Sequence, residues 1–229
     1  MRTDDPKAPT SSPLNAYEQL RADLMSGYLP PSSKLQISAL AERYVTSIGP
    51  IREALSHLAA EGLVIKKGQR GYWVTEISTV EFEEVSRLRI LLETDALKQS
   101  IQNGDLNWES TIVGAMHRVK RALSKAQSTP GVASDALIRE NRSFHMALIG
   151  NCDCQRQIDF ISTLYDQTER CRRRSSLEAD EVRQELLEHQ QLMDAALARD
   201  VETACQLLQR HVEEYGRRVS STLTTSMAS

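Results

Sequence analysis

Three of the five histidines in this sequence fall inside apolar helical stripes, where a polar ring is out of place. Asn141 and His145 stand one turn apart in the stripe Leu137, Asn141, Phe144, His145, Leu148. His189 interrupts Val182, Leu186, Met193 and Ala196, and His211 interrupts Ala204, Leu207, Leu208, Val212 and Tyr215. Burying a polar ring without a partner costs free energy, so either each imidazole bonds a backbone carbonyl or the three share one partner. For a single histidine the carbonyl is the ordinary answer. Three of them on rigid helices, with the Asn141 amide beside one, suit a divalent metal held by neutral imidazole nitrogens. Zinc is the expected ion, and nickel, manganese and iron accept the same donors. Three imidazoles with an open position also serve hydrolytic metal sites, but no carboxylate stands out as a general base on the same faces. His57 and His117 lie outside clear stripes and read as exposed.

A second group of residues has the chemistry to touch an anionic polymer. From Thr46 to Val74 the chain reads as a helix followed by two short strands, Leu63-Val64-Ile65 and Tyr72-Trp73-Val74. Ser47 is placed to cap the helix, Pro50 fits its first turn, and Gly62 ends it. Ile51, Ala54, Leu55, Leu58 and Ala59 form its inner stripe and leave Arg52, Glu53, Ser56 and His57 outside. The connector Lys66-Lys67-Gly68-Gln69-Arg70-Gly71 carries three positive charges and no negative one.

These stretches need elements to position them. Leu14 to Met25 is an amphipathic helix, Leu29-Pro30-Pro31 is extended, and a short helix over Ser38 to Tyr44 turns Ala39, Leu40 and Arg43 inward. Helix, helix, helix and hairpin is the order of a winged helix-turn-helix, whose third helix enters the major groove. From Ser78 onward the pattern is helical throughout. Helices are expected over Thr79–Gln102 (Phe82, Val85, Leu88, Leu92 and Ala96 inward), Leu106–Gln127, Asp135–Ile149, Gln155 to about Arg173, Glu181–Arg199 and Val201 to about Ser220, with Asp200 capping the last. The fold class is therefore mainly α: an N-terminal winged helix-turn-helix with a β-hairpin wing, then an all-α bundle. The expected divisions are a flexible arm over 1–13, a DNA-binding domain over 14–78, a helical effector-binding and dimerisation domain over 79–220 and a flexible tail over 221–229.

A length of 229 residues fits two domains. The net charge of -3 gives no overall basic signature, so nucleic-acid binding must rest on local charge. The run Arg170, Arg172, Arg173, Arg174 reads as a solvated helix end. The four cysteines lack the spacing of a zinc finger or a disulfide scaffold. No apolar run reaches bilayer length and the polar N-terminus is unlike a signal sequence, so a cytoplasmic protein with no membrane partner is expected.

The segments AYEQLRADLMSGYLPP, LAERY, GPIREALSHLAAEGLV and GQRGYWV, in this order, resemble the DNA-binding domain of GntR-superfamily transcription regulators. NRSFHMALIGN, LLEHQQLMDAALARD and ACQLLQRHVEEY resemble the histidine-bearing segments of the FCD effector domain in the FadR-like branch. The resemblance implies a homodimer that binds a double-stranded operator, with Ser47, Gly49, Arg52, Lys66, Lys67, Arg70 and Gly71 at the DNA. It implies a metal held by Asn141, His145, His189 and His211, and a small carboxylate effector met by Arg89 and Asn141, with Arg173 as a further candidate. Arg89 also has a plain alternative, an ion pair with Glu93 at i+4. The sequence departs from the family at Ile37-Ser38 and Ile48-Gly49, where members often carry charged residues, and at Asn141, where metal-binding members often carry aspartate. The implied function is a ligand-responsive regulator, a repressor of a catabolic operon and not an enzyme; a metal-dependent enzyme, or a DNA-binding dimer with no effector, is the alternative.

Overall fold

The computed structural model describes residues 13–76, 78–127, 135–172 and 179–227. The chain divides into two compact units, residues 1–76 and 77–229. In the first, α1 (Pro13–Met25), α2 (Ile37–Arg43) and α3 (Ile48–Ala60) stand with a three-stranded antiparallel sheet, β1 (Lys34–Leu35), β2 (Val64–Lys66) and β3 (Tyr72–Val74). The strand order is β1-β3-β2, with Leu35 opposite Tyr72 and Val64 opposite Val74. Its core is apolar: Leu20, Leu24, Ile51, Leu55, Leu58 and Leu63 are all buried.

α3 has the inner stripe that its periodicity predicts, and Gly62 closes it in the left-handed region at φ 75°. Leu63 N–H bonds Leu58 O and Gly62 N–H bonds Ala59 O, which satisfies carbonyls that the helix end leaves open. Its start differs from expectation. Ser47 occupies the cap position but makes no side-chain cap bond. A cap oxygen accepts from the second or third helical amide, and the third residue here is Pro50, which has none to give. α2 also faces differently: Leu40 and Ala41 are buried, while Ala39 and Arg43 are exposed. Arg43 turns outward because Asp23 and Tyr28 offer it partners at 3.1 and 2.6 Å. The strand β1 has no counterpart in the sequence reading, since two residues carry no periodicity.

The second unit contains α4 (Thr79–Asn103), α5 (Leu106–Gln127), α6 (Asp135–Leu148), α7 (Gln155–Arg172), α8 (Ala179–Leu197) and α9 (Val201–Met227). Ser78 and Glu81 begin α4 with a reciprocal capping box, and Asp200 caps α9 by accepting from Thr203 N–H at 3.1 Å. The principal packing runs α4 to α9, α8, α5, α6, α7 and back to α4, a closed ring. Leu97, Ile112, Val119, Leu123, Leu137, Phe144 and Leu208 fill much of its interior. At the α4–α5 corner, a Cβ on Gly104 would lie 2.3 Å from the Trp108 ring, so only glycine fits there.

Two expectations fail in this unit. The buried face of α4 holds Phe82, Ser86, Arg89, Glu93, Ala96 and Ser100, while Leu88 is 49% exposed. The face is turned toward polar residues because the interior it borders is itself polar. The stretch 221–229, expected as a flexible tail, is helical as far as Met227. No proline or glycine follows Gly216 to stop the helix, and each added residue gains a backbone bond. The expected arm over 1–13, apart from Pro13, and the Ser128–Gly131 loop lie outside the described residues. Among those residues, no helix is long and apolar enough to cross a membrane.

Candidate effector and nucleic-acid sites

The ring brings the three stripe histidines together. His145 from α6, His189 from α8 and His211 from α9 are buried, with one nitrogen of each ring within 4.8 Å of the others. They are the only cluster with metal-ligand spacing among the described residues. His145 Nε2 and His189 Nε2 are 3.3 Å apart, and the rings of His145 and His211 stack at 5.0 Å. His211 Nδ1 lies 2.7 Å from Glu188 Oε2. That bond commits Nδ1 as the donor and leaves Nε2 as the available lone pair. Burial alone would push the Glu188 carboxyl up, but the hydrogen bond from His211 holds it below its ordinary value.

Asn141, one turn before His145, is also buried. Its Nδ2 lies 3.0 Å from Glu185 Oε1 and 3.3 Å from His189 Nε2. Glu185 and Glu188 thus correct the expectation that no carboxylate accompanies these faces: they are 1% and 7% exposed. A glutamate on a helix ordinarily reads as solvated. The available signal was spacing, since Glu185 is one turn before His189 and follows Val182 on the same inner face.

Arg89 forms the i+4 ion pair with Glu93 that is its plain alternative. Nε donates to Glu93 Oε1 at 2.7 Å, while the guanidinium lies 3.9 Å from the centre of the Tyr165 ring. Tyr165 donates to Glu93 Oε2 at 3.0 Å, and Arg89 Nη1 to Thr168 Oγ1 at 3.4 Å. Burial works against the arginine charge, yet Glu93 and the tyrosines raise its pKa above the ordinary value. Burial likewise raises that of Tyr165. A cavity of about 20 Å³ lies among Arg89, Asn141, His145, Tyr165, His211 and Tyr215. It has room for an ion or a water. Three imidazoles, with Glu188 bonded to one of them and Arg89 on the cavity lining, form a donor set that fits a divalent cation beside an anion. Arg173 lies outside the described residues.

In the first unit, the expected DNA-contacting residues share the exposed side of α3 and the wing. Ser47 is exposed just before α3, Gly49 and Arg52 are exposed on it, and Lys66, Lys67 and Arg70 are exposed at the wing, where Gly71 adopts φ 109°. Lys34 and Lys67 lie 5.4 and 5.3 Å from the centre of the Trp73 ring. The wing therefore presents its charges on an aromatic support. His57 and His117 are exposed, as their positions outside the stripes predict.

A helix-turn-helix with a basic wing, joined in one chain to a helical bundle around a polar cavity, defines a DNA-binding regulator with an effector domain. The comparisons agree: residues 14–74 match the bacterial regulatory proteins of the gntR family and residues 84–214 match the FCD domain. The chain belongs to the gntR family of transcription regulators, in its FCD-containing branch. It is 40% identical over 197 residues to the HTH-type transcriptional regulator BphR of Paraburkholderia xenovorans, across 86% of this chain and 80% of that one. It is 31% identical over 211 residues to the HTH-type transcriptional repressor GlaR of Escherichia coli, across 89% and 93% of the two chains. The E. coli McbR/YncC structure shares the fold, with a TM-score of 0.77 at 21% identity over 93% of this chain and 98% of that one. The chain is accordingly a transcription regulator and not an enzyme.

Proposed function

We propose that this protein is a dimeric repressor of a catabolic operon, released or engaged by a small carboxylic acid that enters the helical unit. Residues 14–78 read the operator and residues 79–220 bind the effector and pair the subunits. The observation that carries the sensing role is the convergence of His145, His189 and His211, two of which, His145 and His211, line one cavity with Arg89. The imidazoles hold a divalent ion, zinc being the expected one with nickel, manganese or iron as competitors. The ion supplies positive charge for one end of the acid, and the Arg89 guanidinium supplies it for the other. A carboxylic acid exceeds a cavity of about 20 Å³, so binding must move Tyr165 or Tyr215. An acid that binds only the opened arrangement shifts the population of the whole bundle.

At the DNA, Arg52 is the one arginine on the exposed face of α3, with Lys66, Lys67 and Arg70 contacting phosphates from the wing. Ser47, Gly49 and Gly71 give close backbone approach. Because Ile37-Ser38 and Ile48-Gly49 bring no charge, Arg52 and the wing carry a larger share of binding. The test is a salt-controlled operator titration: Arg52→Ala should weaken binding by roughly tenfold or more, on the scale of a good base contact. Unchanged affinity in a folded variant would remove this assignment.

A further inference from the structure

We infer that Lys34, on β1, is a further contact to the DNA phosphates, and that Trp73 is the positioning residue that holds it beside Lys67. The inference rests on the reading of the wing as an element that meets the DNA backbone. Lys34 lies opposite Trp73 on one side and Ile65 opposite it on the other, while Leu35 and Lys66 flank Tyr72. Successive side chains on a strand point to opposite faces. Leu35, Val64, Tyr72 and Val74 therefore turn to the core, where all four are buried. Lys34, Ile65 and Trp73 share the outer face, with Lys34 and Ile65 exposed. A Cβ on Gly71 would lie 3.9 Å from Lys34 Cε and 4.0 Å from Trp73 Cζ3, so the Lys34 stem reaches the end of the wing loop.

The charges on this face lack partners that others in the unit have. Arg43 lies 3.1 Å from Asp23 and Arg21 lies 4.0 Å from Glu61. Among the described residues, none of Lys34, Lys66, Lys67 and Arg70 has a carboxylate at ion-pair distance. Unpaired cations gathered at one end of a sheet repel one another, and an anion among them relieves that repulsion. The Trp73 ring holds the Lys34 and Lys67 ammoniums at 5.4 and 5.3 Å from its centre, so each loses less side-chain freedom on meeting an anion. A lysine ammonium is a compact point charge suited to phosphate oxygens. Lys66 has the matching arrangement on the other flank. It lies 5.9 Å from the centre of the Tyr72 ring, whose hydroxyl is 3.3 Å from Ser56 Oγ on α3. The hairpin thus carries ring-supported cations both toward α3 and away from it, and Lys34 adds to the second flank.

The test is titration of the full-length protein with mixed-sequence duplex DNA at salt concentrations from about 50 to 200 mM. Lys34→Gln keeps most of the stem and removes the charge. Its slope of log affinity against log salt should be shallower than the parent's by about 0.9 for each subunit on the duplex, whatever the DNA sequence. Lys34→Arg should keep the parent's slope. Trp73→Leu should weaken binding by about threefold more in the parent than in Lys34→Gln, whereas a merely structural tryptophan would cost both alike. An unchanged slope for Lys34→Gln overturns the contact, and equal losses for Trp73→Leu in the two backgrounds overturn the positioning role. Should Trp73→Leu fail to fold, the slopes of Lys34→Gln and Lys34→Arg still decide the contact. A parent protein that binds no duplex at about 50 mM salt overturns the wing reading together with this inference.

Discussion

Arg52 and Arg89 carry the same side chain in opposite surroundings. Arg52 stands exposed on α3 above a core of leucine, isoleucine and alanine, whereas Arg89 is 4% exposed and belongs to the core of its own unit. The first unit keeps charge outside and apolar mass inside, so the residues proposed to contact DNA can change without disturbing the fold. In the helical unit Arg89, Glu93, Glu185, Glu188 and three histidines replace part of the apolar interior. There the site and the core are one structure. That suits sensing, because a ligand couples to a conformational equilibrium only through groups whose arrangement it changes.

The largest expected effect breaks this interior. Arg89→Ala leaves Glu93 buried beside Tyr165 with its cation gone, and should cost about 3–5 kcal/mol of stability by denaturant unfolding. Removing both charges in Arg89→Met/Glu93→Leu should recover much of that loss. A cost under about 1 kcal/mol for Arg89→Ala would place the pair in solvent. By contrast, Arg52→Ala should leave unfolding within about 0.5 kcal/mol of the parent while weakening the operator complex. Loss of stability comparable to that of Arg89→Ala would erase the distinction between the two arginines.

A smaller effect sits at the start of α4. Ser78→Ala removes the hydroxyl half of the capping box, leaving the residue-78 amide bonded to Glu81, and should cost about 1 kcal/mol. The Ser78 amide and hydroxyl hold the Glu81 carboxyl below its ordinary value of 4.5. A depressed folded value contributes stability above the unfolded pKa and loses it as pH falls through the folded one. The part of the difference between Ser78→Ala and the parent that comes from the hydroxyl bond to Glu81 should therefore shrink as pH drops below about 4.5. A difference independent of pH would assign the cap to the serine alone.

The reading unit was the more legible of the two, because its residues obey the pattern that makes sequence readable. α3 shows period, stop and exposed polar face; only the Ser47 cap misled, since Pro50 has no amide to offer. In the helical unit the histidines were visible as interruptions of apolar stripes. Their partners were not. Glu185 and Glu188 look like solvent-facing glutamates, and Tyr165 and Thr168 reach the cavity from a helix with no telling pattern. α4 shows the limit most clearly: Leu92 packs on the core as expected, but expecting Val85 and Leu88 inside assumes an apolar interior, and the interior that Arg89 and Glu93 face is polar. Hydrophobic periodicity finds a helix's inner face only where the inside is hydrophobic.

Thermal unfolding of the chelator-treated protein, with and without added zinc and beside His189→Ala, tests most directly whether the helical unit's core is a metal-dependent site. Ligand that binds only the folded state stabilises it by about 2.7 kcal/mol at a hundredfold excess over Kd. The expected result is a higher Tm for the parent with zinc and an unmoved Tm for His189→Ala. A parent whose Tm ignores zinc and the other candidate ions, or a variant that responds as fully as the parent, would contradict it.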